Sequence, residues 1–318
     1  MSDRGTLPDD VSFTHLDQEL FDEAGATKRD LIDYLDAVHD RILPGLTDRP
    51  LSVIRIRPGQ PPFMQKNLPK YTPDWVPRVS IWAEASKREV SYALGNDRRT
   101  LLWFANQRAV EFHVTLFKMT HQNHPDYLVL DLDPPEGEPF GVVVQAAHLI
   151  HQVLTEAGMA GAVKTSGAKG LHIFVPIAAE SSPEDAAAAT RAVAVRAERI
   201  DPYLATTAFV KDEREGKVFL DSTRAGGATV VAAYSPRIRP GVPVSFPVAW
   251  DDLDDVVPAD FTVHNAADLL DRADPWIDQM PRVQQLDPDL VAEGHTIPVA
   301  RVQAMHEGKR RARSRRDS

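Results

Sequence analysis

Tyr127-Leu128-Val129-Leu130-Asp131-Leu132-Asp133-Pro134-Pro135 is the stretch on which the fold turns. Its apolar run is short, and two prolines, which cannot continue a ladder, end it abruptly, so it reads as a buried strand. Side chains alternate along a strand, so Asp131 and Asp133 face one side and Leu130 and Leu132 the other. Two carboxylates on one face of a strand end repel, and each resists ionising beside the other. A divalent cation between them removes that conflict, and hard oxygen ligands suit Mg²⁺ or Mn²⁺. Taken alone, the pair is equally compatible with a solvated strand end rich in acidic turn residues.

Downstream, Val142 to Ala157 predicts a helix stopped by Gly158. Val163 to Thr165, a tight Ser166-Gly-Ala-Lys-Gly170 turn and Leu171 to Ile177 read as strand, turn, strand. Ser182-Pro183 caps an alanine-rich helix running to about Arg199. Lys217 to Asp221 and Thr229 to Ala233 read as short strands, the prolines from Pro236 to Pro258 as an extended wrap, and Ala266 to Asp271 as a last helical region. Upstream, Thr27 and Asp30 form a capping box before a helix with the stripe Leu31, Leu35, Val38, Ile42, ended by Pro44-Gly45. Leu51 to Arg57 alternates as a strand closed by Pro58-Gly59. Pro61 to Pro77 is expected to be irregular, presenting Phe63, Met64, Lys66 and Asn67 on loops. Ile81-Trp82, Val90 to Tyr92 and Val110 to Val114 read as strands, and Thr100 to Arg108 as a helix. Mixed helices and antiparallel hairpins predict an α+β sheet domain. Residues 1–12 are expected to form a flexible arm, 13–290 one compact catalytic unit, and 291–318 a tail, basic from Lys309 to Arg316 and disordered at its end.

At 318 residues, 43% hydrophobic and 26% charged, the chain is long and apolar enough for a well-buried core. No apolar run approaches the roughly 20 residues that cross a bilayer, and residues 1–10 lack a signal-peptide core, so a cytoplasmic protein without membrane partners is expected. The absence of cysteine excludes disulfides, thiolate nucleophiles and cysteine zinc sites. A net charge of −10 argues against a general nucleic-acid binder. The cations are clustered, however, around Lys87-Arg88, Arg98-Arg99, Lys164 to Lys169, Lys211 to Lys217 and Arg237 to Arg239, so local surface rather than the sum decides binding.

Three segments combine. Asp131 and Asp133 are the first. In the second, Thr165-Ser-Gly-Ala-Lys-Gly-Leu-His172, two glycines let the backbone turn its N–H groups toward an anion. Ser166, Lys169 and His172 add a hydroxyl, a point charge and a ring nitrogen, all suited to phosphate oxygens. The Walker A pattern is absent. The third is Val218-Phe219-Leu220-Asp221, an apolar strand finished by a carboxylate. Singly, each is an ordinary hairpin or strand end. Together they are the parts for two-metal nucleotidyl transfer, with one ion activating a 3′-hydroxyl and the other stabilising the leaving pyrophosphate.

With Phe63-Met-Gln-Lys-Asn67, Glu111-Phe-His113 and Ala233-Tyr-Ser-Pro-Arg237, these segments occur in the order and at the spacing of a known family. From about Phe13 to about Asp278 the chain resembles the polymerase domain of bacterial ligase D, a branch of the archaeo-eukaryotic primase superfamily. The resemblance implies an RRM-like catalytic sheet with an adjoining N-terminal sheet module. It implies that Asp131, Asp133 and Asp221 ligate two Mn²⁺ or Mg²⁺ ions. It assigns the incoming nucleotide to Ser166, Lys169, His172, His113 and Arg237, with Arg224 matching a common variant beside them, and base stacking to Phe63. Lys28 falls where a lysine holds the 5′-phosphate of the downstream strand, and Lys66 and Asn67 fall on the DNA side. The implied activity is a DNA-repair polymerase that fills short gaps or extends broken ends, with a preference for ribonucleotides and Mn²⁺. The implied partners are gapped, 5′-phosphorylated or broken DNA, NTPs or dNTPs, Ku and a separate ATP-dependent DNA ligase, at the nucleoid.

The chain also departs from the family pattern. Glu19 stands in place of a phosphate-facing lysine, Ser222 and Ala225 replace an aromatic and an asparagine after the third aspartate, and Met64 replaces a second aromatic. None of these removes a metal ligand, so activity is expected. Met1, the tail and the lack of ligase or phosphoesterase segments lead us to expect a stand-alone polymerase. The alternatives are a catalytically silent module that binds DNA ends for a ligase, and a sugar-nucleotide transferase, which would leave the turn and Asp221 without a role.

Overall fold

The computed structural model describes residues 11–83, 87–226, 228–270 and 274–299. The basic tail, nearly all of the expected arm and Asp271 lie outside the described residues. Thr27 and Asp30 cap each other reciprocally, as the sequence predicts, and start α1 (Lys28–Ala37). The expected single helix is two. The chain breaks at Val38, and Pro44 lies inside α2 (His39–Leu46), where in a helix of barely two turns it removes one backbone bond. β1 (Pro50–Arg57) and β2 (Gln60–Gln65) form a hairpin across Pro58-Gly59. Pro61 to Gln65 are therefore not irregular as expected, whereas Lys66 to Pro77 carry no helix or strand. Pro61 and Pro62 sit on a strand paired on one side only, where a missing N–H is tolerated.

β3 (Arg78–Ala83) and β4 (Arg88–Leu94) form a second hairpin, and Asp97 caps α3 (Arg98–Asn106), which leads into β5 (Ala109–Val114). β6 (Tyr127–Asp133) is the predicted central strand. α4 (Gly141–Glu156), β7 (Ala162–Thr165), β8 (Leu171–Pro176) and α5 (Pro183–Ile200) follow as expected. Beyond them lie β9 (Ala205–Thr206), β10 (Val218–Asp221), β11 (Val230–Val231) and β12 (Pro247–Val248). The proline-rich wrap thus supplies an edge strand to the sheet. Three short helices close the described chain: α6 (Ala266–Leu269), α7 (Pro275–Gln279) and α8 (Pro288–Thr296). The expected boundary at residue 290 falls inside α8. Glu293 pairs there with Arg196 (2.7 Å) and Arg199 (2.8 Å) of α5. A Cβ on Gly294 would lie 1.8 Å from the Ala188 carbonyl oxygen, so α8 packs directly on α5.

The described strands form two six-stranded sheets. One runs β11-β5-β1-β4-β3 with β2 on β1, the other β12-β7-β8-β6-β10-β9. In the second, Leu128, Leu130 and Leu132 are fully buried, and α4 and α5 pack against β6. Cross-strand register sets Lys164 of β7 opposite His172 of β8, His172 opposite Asp131 of β6, and Asp131 opposite Asp221 of β10. Four chemistry-bearing side chains therefore stand in one row across four strands. No helix among the described residues is long and apolar enough to cross a membrane.

Candidate active site

Asp131 is buried and receives the Arg224 guanidinium on Oδ2, from Nε at 3.1 Å and Nη2 at 2.6 Å. The same Nη2 lies 3.4 Å from Asp221 Oδ2, while Asp221 Oδ1 accepts from the amide (2.8 Å) and hydroxyl (2.6 Å) of Thr223. His172 Nε2 lies 3.2 Å from Asp131 Oδ1. Burial works to raise the Asp131 carboxyl, but the His172 ring and Arg224 outweigh it and hold it well below the usual carboxylate range. Asp133 opens to the cavity, yet burial and the like charges of Asp131 and Asp221 push it up to about 6. Among the described residues no three metal-ligating side chains converge as a ready-made group; Arg224 bridges the aspartates instead. The donor set nevertheless fits hard divalent cations, because the three aspartates share one corner of the sheet and repel, and Arg224 relieves only Asp131 and Asp221 by direct contact.

The predicted turn between β7 and β8 forms, and its glycines have separate reasons. Gly167 has φ +68°, and a Cβ there would meet Arg237 Cγ at 2.6 Å; a Cβ on Gly170 would lie 2.1 Å from the Leu132 carbonyl oxygen. Ser166 Oγ accepts from the amides of Ala168 (3.2 Å) and Gly170 (3.1 Å), so its hydroxyl shapes the turn. Arg237 Nη1 donates to the Ser166 carbonyl.

Glu111, which the sequence reading left without a role, links His113 and Arg237. Its carboxylate lies 2.9 Å from His113 Nε2 and 3.2 Å from Arg237 Nε, and accepts from the Ile238 amide at 2.9 Å. Burial opposes ionisation of Glu111, but His113, Arg237 and the Ile238 amide prevail and hold it at about 2. Its sequence signals were its place in the Glu111-Phe-His113 segment and the same-face spacing to His113 on one strand.

A cavity of about 390 Å³ between the two sheets is lined by His113, Asp131, Asp133, Ser166, Lys169, His172, Arg224 and Arg237, so the structure brings together eight residues read from the sequence. Arg214 and Arg239 also line it and were missed. A second cavity of about 680 Å³ shares Lys169, Arg214 and Arg239 and adds Lys211 and Lys217. Asp221, opposite Asp131 across the strands, does not line this cavity, and four further predicted residues stand apart. Phe63 is half-buried on β2, with Arg57 4.6 Å from its ring centroid. Lys66 is exposed, and Asn67 is exposed but bridges the loop, its Oδ1 taking the Ser91 amide at 2.9 Å. Lys28 is only 3% exposed and donates to the Thr14 carbonyl at 2.6 Å; burial and the nearby Arg108 lower its ammonium to about 8. Glu19 is exposed, and its carbonyl accepts from Arg108 at 2.7 Å.

Residues 27–276 match the family described as LigD, primase-polymerase domain. The chain is 34% identical over 265 residues to the bifunctional non-homologous end joining protein LigD of Bacillus subtilis, covering 82% of this chain and 42% of that protein. It is 30% identical over 312 residues to the multifunctional non-homologous end joining protein LigD of Mycobacterium bovis, covering 92% and 41%. The chain thus spans about two-fifths of the length of these relatives. Among solved structures, the polymerase domain of Mycobacterium tuberculosis ligase D in complex with DNA superposes with a TM-score of 0.78 at 30% identity, covering 85% of this chain and 99% of that one. With this domain matched over most of its length, the chain belongs to the LigD primase-polymerase family of nucleotidyltransferases.

Proposed function

We propose that this chain extends DNA 3′-hydroxyl ends at short gaps or double-strand breaks, drawing on ribonucleoside triphosphates in preference to dNTPs. The pairing of Asp131 with Asp221 across the strands, with Asp131 and Asp133 opening on a cationic cavity, is the observation that carries this reading. Two Mn²⁺ or Mg²⁺ ions on Asp131, Asp133 and Asp221 would lower the pKa of the attacking hydroxyl and neutralise the leaving pyrophosphate. The chain's own groups hold the nucleotide. Lys169 and Arg237 offer charge to the triphosphate, His113 and His172 offer ring N–H groups, and Ser166 maintains the turn that presents them. Glu111 keeps His113 and Arg237 in place. Arg224 turns from the aspartates toward the phosphates as the site loads. Phe63 stacks on a base, and Lys66 and Asn67 meet the DNA. Lys28 reaches a 5′-phosphate on releasing the Thr14 carbonyl. Ku and a separate ligase are the partners this role calls for.

The test is extension of a labelled primer across a short 5′-phosphorylated gap with Mn²⁺ and either rNTPs or dNTPs. Asp131→Ala removes a ligand worth several kcal/mol in the transition state, so incorporation should fall at least about a thousandfold. Wild-type protein that binds the gap and adds nothing would instead indicate an end-binding module.

A further inference from the structure

Tyr203 is 90% exposed, more than any other large hydrophobic side chain among the described residues. Its backbone is nonetheless fixed. It follows α5 in a turn where Asp201 Oδ1 accepts from the amides of Tyr203 (3.0 Å) and Leu204 (3.1 Å). A ring this bare adds nothing to the core, so packing does not account for an aromatic here. One exposed ring means little by itself, but its neighbours give it a context. β9 runs parallel to β10 with Ala205 opposite Val218, and the Val218 amide donates to the Leu204 carbonyl at 2.9 Å. Tyr203 thus enters the sheet beside Gly216 and Lys217, both of which line the cavity of about 680 Å³. Neighbouring strands lie about 4.8 Å apart, so the ring stands at the rim of that cavity.

The cavity sets Lys169, Lys211, Arg214, Lys217 and Arg239 against the carboxylate of Glu136. Lys211 pairs with Glu136 at 3.3 Å and Lys217 with Glu215 at 3.1 Å. Lys211 and both glutamates are exposed, so phosphate oxygens can replace these carboxylates at little cost. Arg214 is anchored, its guanidinium 3.7 Å from the Phe219 ring centroid and donating to the carbonyls of Ala208 (3.3 Å) and Phe209 (3.2 Å). Among the described residues no aromatic side chain lines the cavity. It therefore offers charge without a stacking face, whereas Tyr203 offers a stacking face without charge. An unpaired strand uses both, because cations track its backbone while its bases stack on aromatic rings. A duplex keeps its base faces within its own stack, and a free pyrophosphate would leave the ring unused.

We propose that Tyr203 is a stacking platform for an unpaired base of a DNA single strand whose phosphates lie along the Lys211–Lys217 side of this cavity. The proposal rests on the reading of the chain as acting on DNA ends. Anisotropy titration of the full chain tests it, with a labelled oligothymidylate and an abasic strand of equal length. Wild type should bind the thymidylate strand more tightly. Tyr203→Ala should weaken that binding about tenfold, the scale of one base stacked on one ring, while abasic binding and the salt slope stay as in wild type. Tyr203→Phe should bind as wild type does, since stacking needs the ring and not the hydroxyl. Lys217→Ala should weaken both strands and lower the salt slope by about one. Equal loss on both strands in Tyr203→Ala, or no loss, overturns the proposal, as does a wild type indifferent to the bases. Primer extension separates this outcome from the polymerase reading. Wild type that fills the gap, with Tyr203→Ala binding both strands normally, keeps the polymerase and removes the platform. Wild type that adds no nucleotide, with base-dependent binding lost in Tyr203→Ala, keeps the platform and defeats the polymerase.

Discussion

Asp133 sits where two like charges and burial push its carboxyl up to about 6, while Asp131, gripped by His172 and Arg224, stays ionised far below that. The two carboxylates of one strand end therefore titrate in different ranges. Because the Asp133 pKa is raised, the metal-free protein holds this proton up to about pH 6, and a cation bound to Asp133 would have to displace it below that pH. Mn²⁺ affinity should rise as pH is raised through 6, with about three-quarters of a proton released per binding event near pH 5.5. Calorimetry in buffers of different ionisation enthalpy measures this, and Asp133→Asn should abolish the proton release. The repulsion was legible from the Asp-x-Asp spacing alone. That Asp133 rather than Asp131 bears it was not, because Arg224 and His172 reach Asp131 from other strands and turns.

At the scale of elements, local chemistry carried most of the reading. The Thr27–Asp30 box, the Ser182-Pro183 start and the Gly158 stop act within a few residues of their own helix and formed as expected. Where the expectations failed, the deciding partner was distant. Pro61 to Gln65 lie on β2 because β1 offers them a ladder, and α8 extends past residue 290 because α5 offers it a seat. Gly170 belongs to both kinds. Its place in a tight turn was readable, whereas its close approach to the Leu132 carbonyl comes from β6. Gly170→Ala should push β8 from β6, costing about 1–3 kcal/mol in urea unfolding and weakening nucleotide binding. Gly141→Ala, where a Cβ meets nothing within 4 Å, should stay within about 0.5 kcal/mol of wild type.

Across the whole molecule, the net charge of −10 conceals a local field. Lys169, Arg214 and Arg239 line both cavities beside the aspartates, and Lys211 and Lys217 extend the basic lining away from them. A phosphate bound there would be met by local cations within a Debye length. Affinity for gapped DNA should fall linearly against salt on logarithmic axes, and Arg239→Ala should reduce the slope by about one, as read by anisotropy titration at several salt concentrations.

The sequence by itself determined the α+β class, the central strand and its paired aspartates, the tight glycine turn between β7 and β8, and Asp221. Those signals are periodicity, caps and turn glycines, which act along a few consecutive residues. Only the tertiary structure decided which side chains share the site. The β7–β8 hairpin aligns Lys164 with His172, but the register that adds Asp131 and Asp221 is set by hydrogen bonds between strands far apart in the chain. Glu111 serves His113 and Arg237, and Lys28 turns inward to Thr14, only because packing brings those partners within reach. A side chain's type is written locally, whereas its partner is chosen by how the sheets close.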